Sequence, residues 1–236
     1  MTRVRQALVT GGTRGIGAAI ALELRGAGYR VTVTGTSAAG KPPQGCAYLP
    51  CEFTQSREVQ ALVERIADME LSVLINNAGI NKVGPLASYP LSDFARIQQV
   101  NMTVPFQLCQ AVVPGMQRRR FGRIVNMTSV FGVMSKAGRS AYSISKFGLF
   151  GMSRALALEV AVDNVLVNCL APGFVETDMT RRMLGAQGIA EMVMRIPMGR
   201  LAQPEEIARY VRFLASEENT YMTGQALIVD GGFTCG

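Results

Sequence analysis

The chain has 236 residues, 48% of them apolar and 17% charged, and its 24 Lys and Arg residues against 17 Asp and Glu residues give a formal net charge of +7. It contains no histidine, which excludes Ser-His-Asp and Cys-His nucleophilic triads and every zinc site with an imidazole ligand. The excess charge would suit an anionic small molecule. Because no aromatic platform or nucleic-acid motif accompanies the basic run Arg118, Arg119 and Arg120, we expect no nucleic-acid partner.

Short apolar runs bounded by turn residues alternate along the chain with amphipathic stretches of helical length. Nearly continuous apolar runs indicate strands that are buried on both faces, and their alternation with helices is typical of a doubly wound parallel sheet. The predicted strands are residues 6–10, 30–35, 46–50, 71–76, 123–127, 165–170 and 226–229. The predicted helices are residues 15–27, 56–67, 91–119 with a break near Asn101, 141–162 and 204–216. The sequence therefore predicts one α/β domain over residues 1–236, with a seven-stranded parallel sheet and helices on both faces. Residues 36–45, which are rich in Gly and Pro, are expected to cross as a short loop.

A glycine-rich turn at residues 10–17 follows the first predicted strand and opens the first predicted helix. Gly11 would permit the sharp turn, Gly15 would let the backbone approach a pyrophosphate, and Gly17 would let the helix pack closely on the strand. The N-terminus of the helix would then face the phosphates. This position between a strand and a helix predicts a dinucleotide-binding turn.

The second predicted strand indicates which dinucleotide is bound. About 20 residues after the glycines, NAD enzymes usually carry a carboxylate that binds the ribose hydroxyls, but residues 34–37 contain no acid. Arg14 can offer a guanidinium to a 2′-phosphate, and Thr36 can add a hydroxyl. We therefore predict NADP(H) rather than NAD(H), with a solvated turn arginine as the alternative interpretation of Arg14.

Tyr142 and Lys146 are four residues apart on the predicted helix 141–162, so their side chains lie one turn apart on the same face. A tyrosine is a poor acid at neutral pH, and a nearby ammonium would lower its pKa. Tyr142 could then protonate a carbonyl oxygen during reduction or deprotonate an alcohol in reverse. Taken singly, each residue could equally be a solvated side chain on a helix surface.

The spacing Gly-x-x-x-Gly-x-Gly, together with Tyr142, Lys146 and Ser129, resembles the short-chain dehydrogenase/reductase family over essentially the whole chain. The resemblance implies a Rossmann fold without a metal. It identifies Ser129 as the residue that fixes the substrate oxygen, Lys146 as a ligand of the nicotinamide ribose, and Asn101 as the residue that positions a water next to Lys146. The cofactor-binding residues that it implies are Gly11, Thr13, Arg14, Gly15, Ile16, Gly17, Thr36, Glu52, Phe53, Asn77, Ala78, Gly79, Tyr142, Lys146, Pro172, Gly173, Val175 and Thr177.

Within the family, residues 34–37, 171–181 and 199–201 are most similar to 3-oxoacyl-(acyl carrier protein) reductases. The expected substrate is therefore a 3-oxoacyl thioester on acyl carrier protein or CoA. Those enzymes dock an acidic carrier partly through two arginines. Arg120 matches one of them, but Asp163 stands at the other position and would repel an acidic partner. The alternatives are an NADP-dependent dehydrogenase with a non-acyl ketone substrate, and a catalytically silent NADP-binding sensor.

Residues 178–200 are a candidate lid over the substrate. Residues 178–200 contain five methionines, which fits either a mobile apolar lid over the substrate or a packed helical face.

No apolar stretch approaches the roughly 20 residues of a membrane span, and five cysteines without a Cys-x-x-Cys pair suit a reducing compartment, so we expect a cytoplasmic protein without a membrane partner. The resemblance implies a homotetramer with contacts through helices 91–119 and 141–162.

Overall fold

Seven parallel strands form one sheet in the order β3-β2-β1-β4-β5-β6-β7 in the computed structural model, which describes residues 5–235. Every residue of β5 and β6 is buried, which explains why their sequences are nearly continuous in apolar residues. The strands are β1 (Gln6–Val9), β2 (Arg30–Gly35), β3 (Ala47–Pro50), β4 (Leu71–Asn76), β5 (Gly122–Met127), β6 (Val165–Pro172) and β7 (Ala226–Val229). The predicted seven-stranded parallel sheet is confirmed.

Helices cover both faces of the sheet and form two apolar cores. The helices α1 and α7 share one core, which contains Ile20 and the strand residue Val73, whereas α2, α4 and α5 share another, which contains Leu108 and Leu74. Side chains of successive strand residues point to opposite faces, so the two cores lie on opposite sides of the sheet. The helices are α1 (Gly15–Gly26), α2 (Ser56–Ala67), α3 (Leu91–Gln98), α4 (Val104–Arg118), α5 (Ser140–Val160), α6 (Asp178–Arg195) and α7 (Pro204–Ala215).

The predicted break near Asn101 in helix 91–119 is confirmed: a π-helical segment, Gln99–Thr103, separates α3 from α4 and contains Asn101. Residues 178–195, for which a lid was expected without an assigned conformation, form α6, which is kinked at Gly185. Met192 is the only buried residue of α6, so the sequence lacks the apolar periodicity that predicts a helix. Between β2 and β3 the described chain contains no helix.

The order of the strands creates a crevice at the carboxyl ends of the strands, between β1 and β4. From β1 the chain moves outward to β2 and β3, whereas β4 lies on the other side of β1 and leads to β5, β6 and β7. Open parallel sheets bind ligands at the carboxyl ends of strands beside such a switch point. The glycine-rich turn follows β1, Asn77 follows β4, Ser129 follows β5 and Gly173 follows β6, so the predicted site segments converge there.

Three further features limit the chemistry of the fold. All five cysteines are free thiols, and three of them are buried. Within residues 5–235, no group of Cys, Asp or Glu side chains is arranged to hold a metal ion. The same part of the chain contains no helix that is both long enough and apolar enough to cross a bilayer.

Candidate active site

The glycine-rich turn leaves the N-terminus of α1 without a side-chain cap. Gly11 and Gly15 have φ angles of +62° and +53°, which residues with a side chain rarely adopt. A Cβ atom on Gly17 would lie 2.3 Å from the carbonyl oxygen of Gly11, so a larger residue would displace the turn. The first turn of α1 has no acidic residue and no capping side chain, so its backbone N–H groups are available to an anion. This arrangement fits the pyrophosphate of a dinucleotide.

The segment after β4 is hydrogen-bonded to the glycine-rich turn. The Asn77 side-chain amide donates to the carbonyl oxygens of Thr10 (2.8 Å) and Gly11 (3.2 Å). In return, the Thr10 hydroxyl accepts from the backbone N–H groups of Asn77 and Ala78, each at 3.0 Å. Asn77 and Ala78, which were predicted to bind cofactor, therefore also fix the backbone of the turn that would hold it.

Both residues that were predicted to recognise the 2′-phosphate are exposed. Arg14 is exposed and makes no ion pair with any described residue. Thr36 is exposed directly after β2. The end of β2 approaches the glycine-rich turn, because a Cβ atom on Gly35 would lie 2.8 Å from the methyl group of Thr13. Arg14 and Thr36 therefore belong to segments that meet at the crevice.

Glu52 and Phe53, which were predicted to contact the adenine, follow β3. The Glu52 carboxylate accepts from the backbone N–H and the hydroxyl of Thr54, both at 3.0 Å, while the Glu52 N–H donates to Glu58 at 2.7 Å. The Phe53 side chain is buried in the core under α2. Any contact between Phe53 and a cofactor would therefore be made by the Phe53 backbone.

A cavity of about 160 Å³ at the carboxyl ends of β5 and β6 is lined by both Ser129 and Tyr142. The Ser129 hydroxyl accepts from the N–H of Phe131 at 3.2 Å, and its hydrogen remains able to donate to a ligand. The predicted cofactor residues that line the same cavity are Ile16, Pro172, Gly173, Val175 and Thr177. A larger cavity of about 730 Å³ lies at the opposite ends of the strands, and none of the predicted site residues lines it.

Lys146 is buried one helical turn after Tyr142. Its Nζ donates to the carbonyl oxygen of Met127 at 2.7 Å and lies 5.6 Å from the centroid of the Tyr142 ring. Asn101 is fully buried in the π-helical segment. A Cβ atom on Gly79 would lie 3.5 Å from Asn101 Oδ1 and 3.6 Å from Lys146 Nζ, so the two side chains flank Gly79.

The Asn101 side chain is held on both of its polar atoms. Its Nδ2 donates to the Ile80 carbonyl oxygen (2.9 Å) and to the Ser145 hydroxyl (3.1 Å), and its Oδ1 accepts from the Ile80 N–H (2.9 Å). The π-helical break thus directs an asparagine to the loop after β4 rather than to the solvent. The Oδ1 atom retains one lone pair on the side of Lys146, where a water could bind.

Burial governs the ionisation of the two central groups. It raises the pKa of Tyr142 above its usual value near 10, and the Ser129 hydroxyl and the Arg139 cation oppose this rise. Burial also lowers the pKa of Lys146 to about 8. Ser129 and Arg139 are the groups that lower the pKa of Tyr142 in this structure, and the expected effect of Lys146 on Tyr142 stays a prediction. The Lys146 ammonium is instead directed to the Met127 carbonyl.

The methionines of α6 divide between the two interpretations that the sequence left open. Met179 and Met183 line the cavity beside Ser129 and Tyr142, as residues of a lid would. Met192 packs in a small core with Phe131, as a residue of a packed helical face would. Thr177 begins α6, where its hydroxyl accepts from the Thr180 N–H at 3.2 Å.

Arg139 and Asn81 are among the cavity residues that were not predicted from the sequence. Arg139 lines it with only 5% of its surface exposed, and its Nε is buried without a hydrogen-bond partner among the described residues. Asn81 also lines it, with a buried and unpartnered Oδ1. Arg139 precedes Tyr142 by three residues, and this helical spacing is the sequence signal that would have revealed it.

Arg120 and Asp163, which bear on the docking of an acidic carrier, contact each other. Arg120 Nη1 lies 3.2 Å from Asp163 Oδ1, and Nη2 donates to the Val162 carbonyl at 2.8 Å. The second Asp163 oxygen accepts from Gln117 at 2.8 Å. Asp163 therefore neutralises the arginine that was expected to bind the carrier.

Comparisons with known proteins cover nearly the whole chain. A family model described as Enoyl-(Acyl carrier protein) reductase matches residues 11–234. The 3-oxoacyl-[acyl-carrier-protein] reductase FabG of Vibrio cholerae is 40% identical over 234 residues, 96% of each protein. The acetoacetyl-CoA reductase of Shinella zoogloeoides is 38% identical over 235 residues, 97% of this chain and 98% of the relative. A crystal structure from Beutenbergia cavernae, named as a candidate NAD(P)-dependent gluconate 5-dehydrogenase and containing NADP, is 32% identical with a TM-score of 0.91 over 98% of this chain and 97% of that chain.

Proposed function

The chain belongs to the short-chain dehydrogenase/reductase family, and we propose that it is an NADPH-dependent reductase of a ketone, with a 3-oxoacyl thioester as its substrate. The observation that carries this proposal is the cavity into which Ser129 and Tyr142 both face, with Lys146 buried one turn behind. Ser129, Tyr142, Lys146 and Asn101 are the proposed catalytic residues.

The cofactor site is formed by residues from several strand ends. The uncapped N-terminus of α1 and the positive φ angles of the glycine-rich turn suit a pyrophosphate, and the exposed, unpaired Arg14 suits the 2′-phosphate. Pro172, Gly173, Val175 and Thr177 line the reaction cavity and would hold the nicotinamide end. When bound, NADPH supplies the hydride that reduces the carbonyl carbon.

The protein residues supply the proton and position the oxygen. The Ser129 hydroxyl donates a hydrogen bond to the substrate carbonyl. Tyr142, whose raised pKa keeps it protonated at neutral pH, donates its proton to the same oxygen. The Lys146 ammonium then stabilises the phenolate that remains, and Asn101 holds a water that returns a proton from solvent. This assignment requires Lys146 to be charged, which holds below its pKa of about 8.

The substrate class rests on the relatives and on the pair Arg120 and Asp163, which lies at the amino ends of β5 and β6, at the other end of the sheet from the cavity. The Vibrio cholerae and Shinella zoogloeoides relatives are named as reductases of 3-oxoacyl groups on acyl carrier protein and on CoA. The ion pair between Arg120 and Asp163 disfavours docking of an acidic carrier protein at that surface and favours a CoA thioester or a free molecule. A non-acyl ketone is the second candidate, supported by the Beutenbergia cavernae structure.

A substrate panel would test the proposed function. We expect NADPH oxidation with acetoacetyl-CoA at a kcat/KM at least equal to that with acetoacetyl-acyl carrier protein, because Arg120 is already neutralised by Asp163. Simple ketones and sugar ketones in the same assay test the second candidate. Tight binding of NADPH without reduction of any carbonyl compound would contradict the proposal and favour a sensor.

Replacing Arg14 with alanine is expected to reduce kcat/KM for NADPH roughly 10- to 100-fold, which is the range for a lost hydrogen bond to a charged group. The value for NADH should change little, since NADH lacks the 2′-phosphate. Both values are measured by initial rates at several cofactor concentrations. Arg30→Ala is the matched control, because Arg30 is exposed at the start of β2, at the other end of the sheet. A wild-type preference for NADH would contradict the cofactor assignment.

The proposed assembly is a homotetramer in the cytoplasm. Phe106 on α4 and both Phe147 and Leu158 on α5 are exposed apolar side chains, and these two helices are the expected contact elements. The free cysteines suit a reducing compartment.

A further inference from the structure

Arg139 is a buried cation without a counter-ion. It is 5% exposed, its Nε has no hydrogen-bond partner, and no described acid forms an ion pair with it. Its guanidinium lies over the face of the Phe131 ring, 5.1 Å from the centroid, and interacts electrostatically with Tyr142. Isolated buried charges are unfavourable unless a partner compensates them. Because no described acid pairs with Arg139, its guanidinium is available to an anionic ligand.

The surroundings of Arg139 exclude a hidden acid and point to the substrate. The residues that line the cavity with Arg139 include no Asp and no Glu. Arg139 is also the N-cap of the 21-residue helix α5, whose first turn contains no acidic residue and which has no side-chain cap. The positive end of the helix and the guanidinium therefore act on the same place. Asn81 adds a second buried polar atom without a partner in this cavity.

The approach to the cavity is also positively charged. Lys136 lies over the Phe131 ring at 5.8 Å, and Arg195 lies over the Phe233 ring at 5.5 Å. Burial and the neighbouring cations Arg139 and Arg195 lower the pKa of Lys136. Three cations around one aromatic cluster, without acids among them, would attract an anionic ligand.

We propose that Arg139 binds a carboxylate of the substrate, so that the ketone reduced at Ser129 and Tyr142 belongs to a compact oxo acid. This inference rests on the proposed ketone reduction and selects the second candidate substrate, a ketone that is not a thioester, to which it adds a carboxylate. Arg139 and Tyr142 are three residues apart at the start of α5 and line one cavity, so the carboxylate and the reacting carbonyl belong to one small molecule. A guanidinium can bind a carboxylate with two parallel hydrogen bonds.

The experiment compares each oxo acid with its neutral methyl ester. Initial rates with NADPH are measured for pyruvate, acetoacetate and levulinate and for the three esters, which vary the distance from carboxylate to ketone. We expect the wild-type protein to prefer at least one acid over its ester by tenfold or more in kcat/KM. In Arg139→Gln, kcat/KM for that acid should fall roughly 10- to 100-fold more than the value for its ester, which reports only the loss of the Arg139 charge beside Tyr142.

Two further variants and a binding measurement complete the test. Arg65→Gln removes an exposed cation on α2, away from the cavity, and should leave the ratio of acid to ester within about threefold of wild type. Arg139→Lys keeps the charge without the planar fork and should give an intermediate ratio, which preserves the test if Arg139→Gln does not fold. Butyrate, which cannot be reduced, should raise the melting temperature of the wild-type protein but not that of Arg139→Gln.

The outcomes separate the two claims. Reduction of esters and acids with the same efficiency in wild type and Arg139→Gln, without stabilisation by butyrate, would overturn the role of Arg139 and leave the proposed reductase intact. Failure to reduce any ketone, with stabilisation by butyrate that depends on Arg139, would overturn the reductase and retain the carboxylate site.

Discussion

Replacing Tyr142 with phenylalanine is expected to lower kcat for ketone reduction by roughly 10²- to 10⁴-fold, the usual contribution of a positioned proton donor. The variant loses only the phenolic hydroxyl. No other acid lines the cavity: Ser129 is a far weaker acid, and the Arg139 guanidinium does not release its proton. The measurement is single-turnover oxidation of NADPH in the presence of excess ketone.

The same variant should bind NADPH almost as tightly as the wild type, because the glycine-rich turn and Arg14 lie on other elements. Fluorescence titration with NADPH checks this. Tyr210→Phe is a suitable control, since Tyr210 is partly exposed on α7 and does not line the cavity. If Tyr142→Phe retained wild-type reduction, the proton donor would have to be another group and the assignment would be wrong.

The sheet and the turn that binds phosphate could be predicted from local sequence. Strands β4, β5 and β6 are almost entirely buried, so apolar residues predominate in each of them. Gly11, Gly15 and Gly17 have the spacing that a tight strand-to-helix turn requires. The break near Asn101 was visible too, but its form as a π-helical segment was not. That form depends on the contact of Asn101 with Ile80, which is 21 residues away in sequence.

The remaining site features depend on tertiary packing. Burial raises the pKa of Tyr142, and the extent of burial is not visible in the sequence. Arg139 looked like one arginine among many, because its isolation from every acid arises only when α5 packs against the 3₁₀ helix that follows Ser129. Helix α6 was missed because it buries so little of its surface. The ion pair between Arg120 and Asp163 also depends on tertiary packing, because the two residues are 43 positions apart in the sequence.

Replacing Lys146 with methionine is expected to reduce kcat/KM for ketone reduction by roughly 10²- to 10³-fold, the range for removing one stabiliser of a developing negative charge. Methionine keeps much of the apolar stem, so the helix packing should survive. In the wild-type protein, reduction should decline as the pH rises through about 8, because burial lowers the pKa of Lys146 to that value and the neutral amine no longer stabilises the Tyr142 phenolate. Steady-state rates between pH 6 and 10 would be measured for this variant and for Lys146→Arg.

Lys146→Arg distinguishes the lysine from the tyrosine as the cause of the decline. Arginine stays charged across this range, so the decline near pH 8 should disappear in that variant even if its rate is lower. Unfolding does not account for the wild-type decline. A lysine whose pKa is depressed on folding binds fewer protons in the folded state than in the unfolded state between about pH 8 and 10.5, so its contribution to the free energy of unfolding rises with pH in that window. A decline near pH 8 that persisted in Lys146→Arg would assign it to another group and remove the charge of Lys146 from the mechanism.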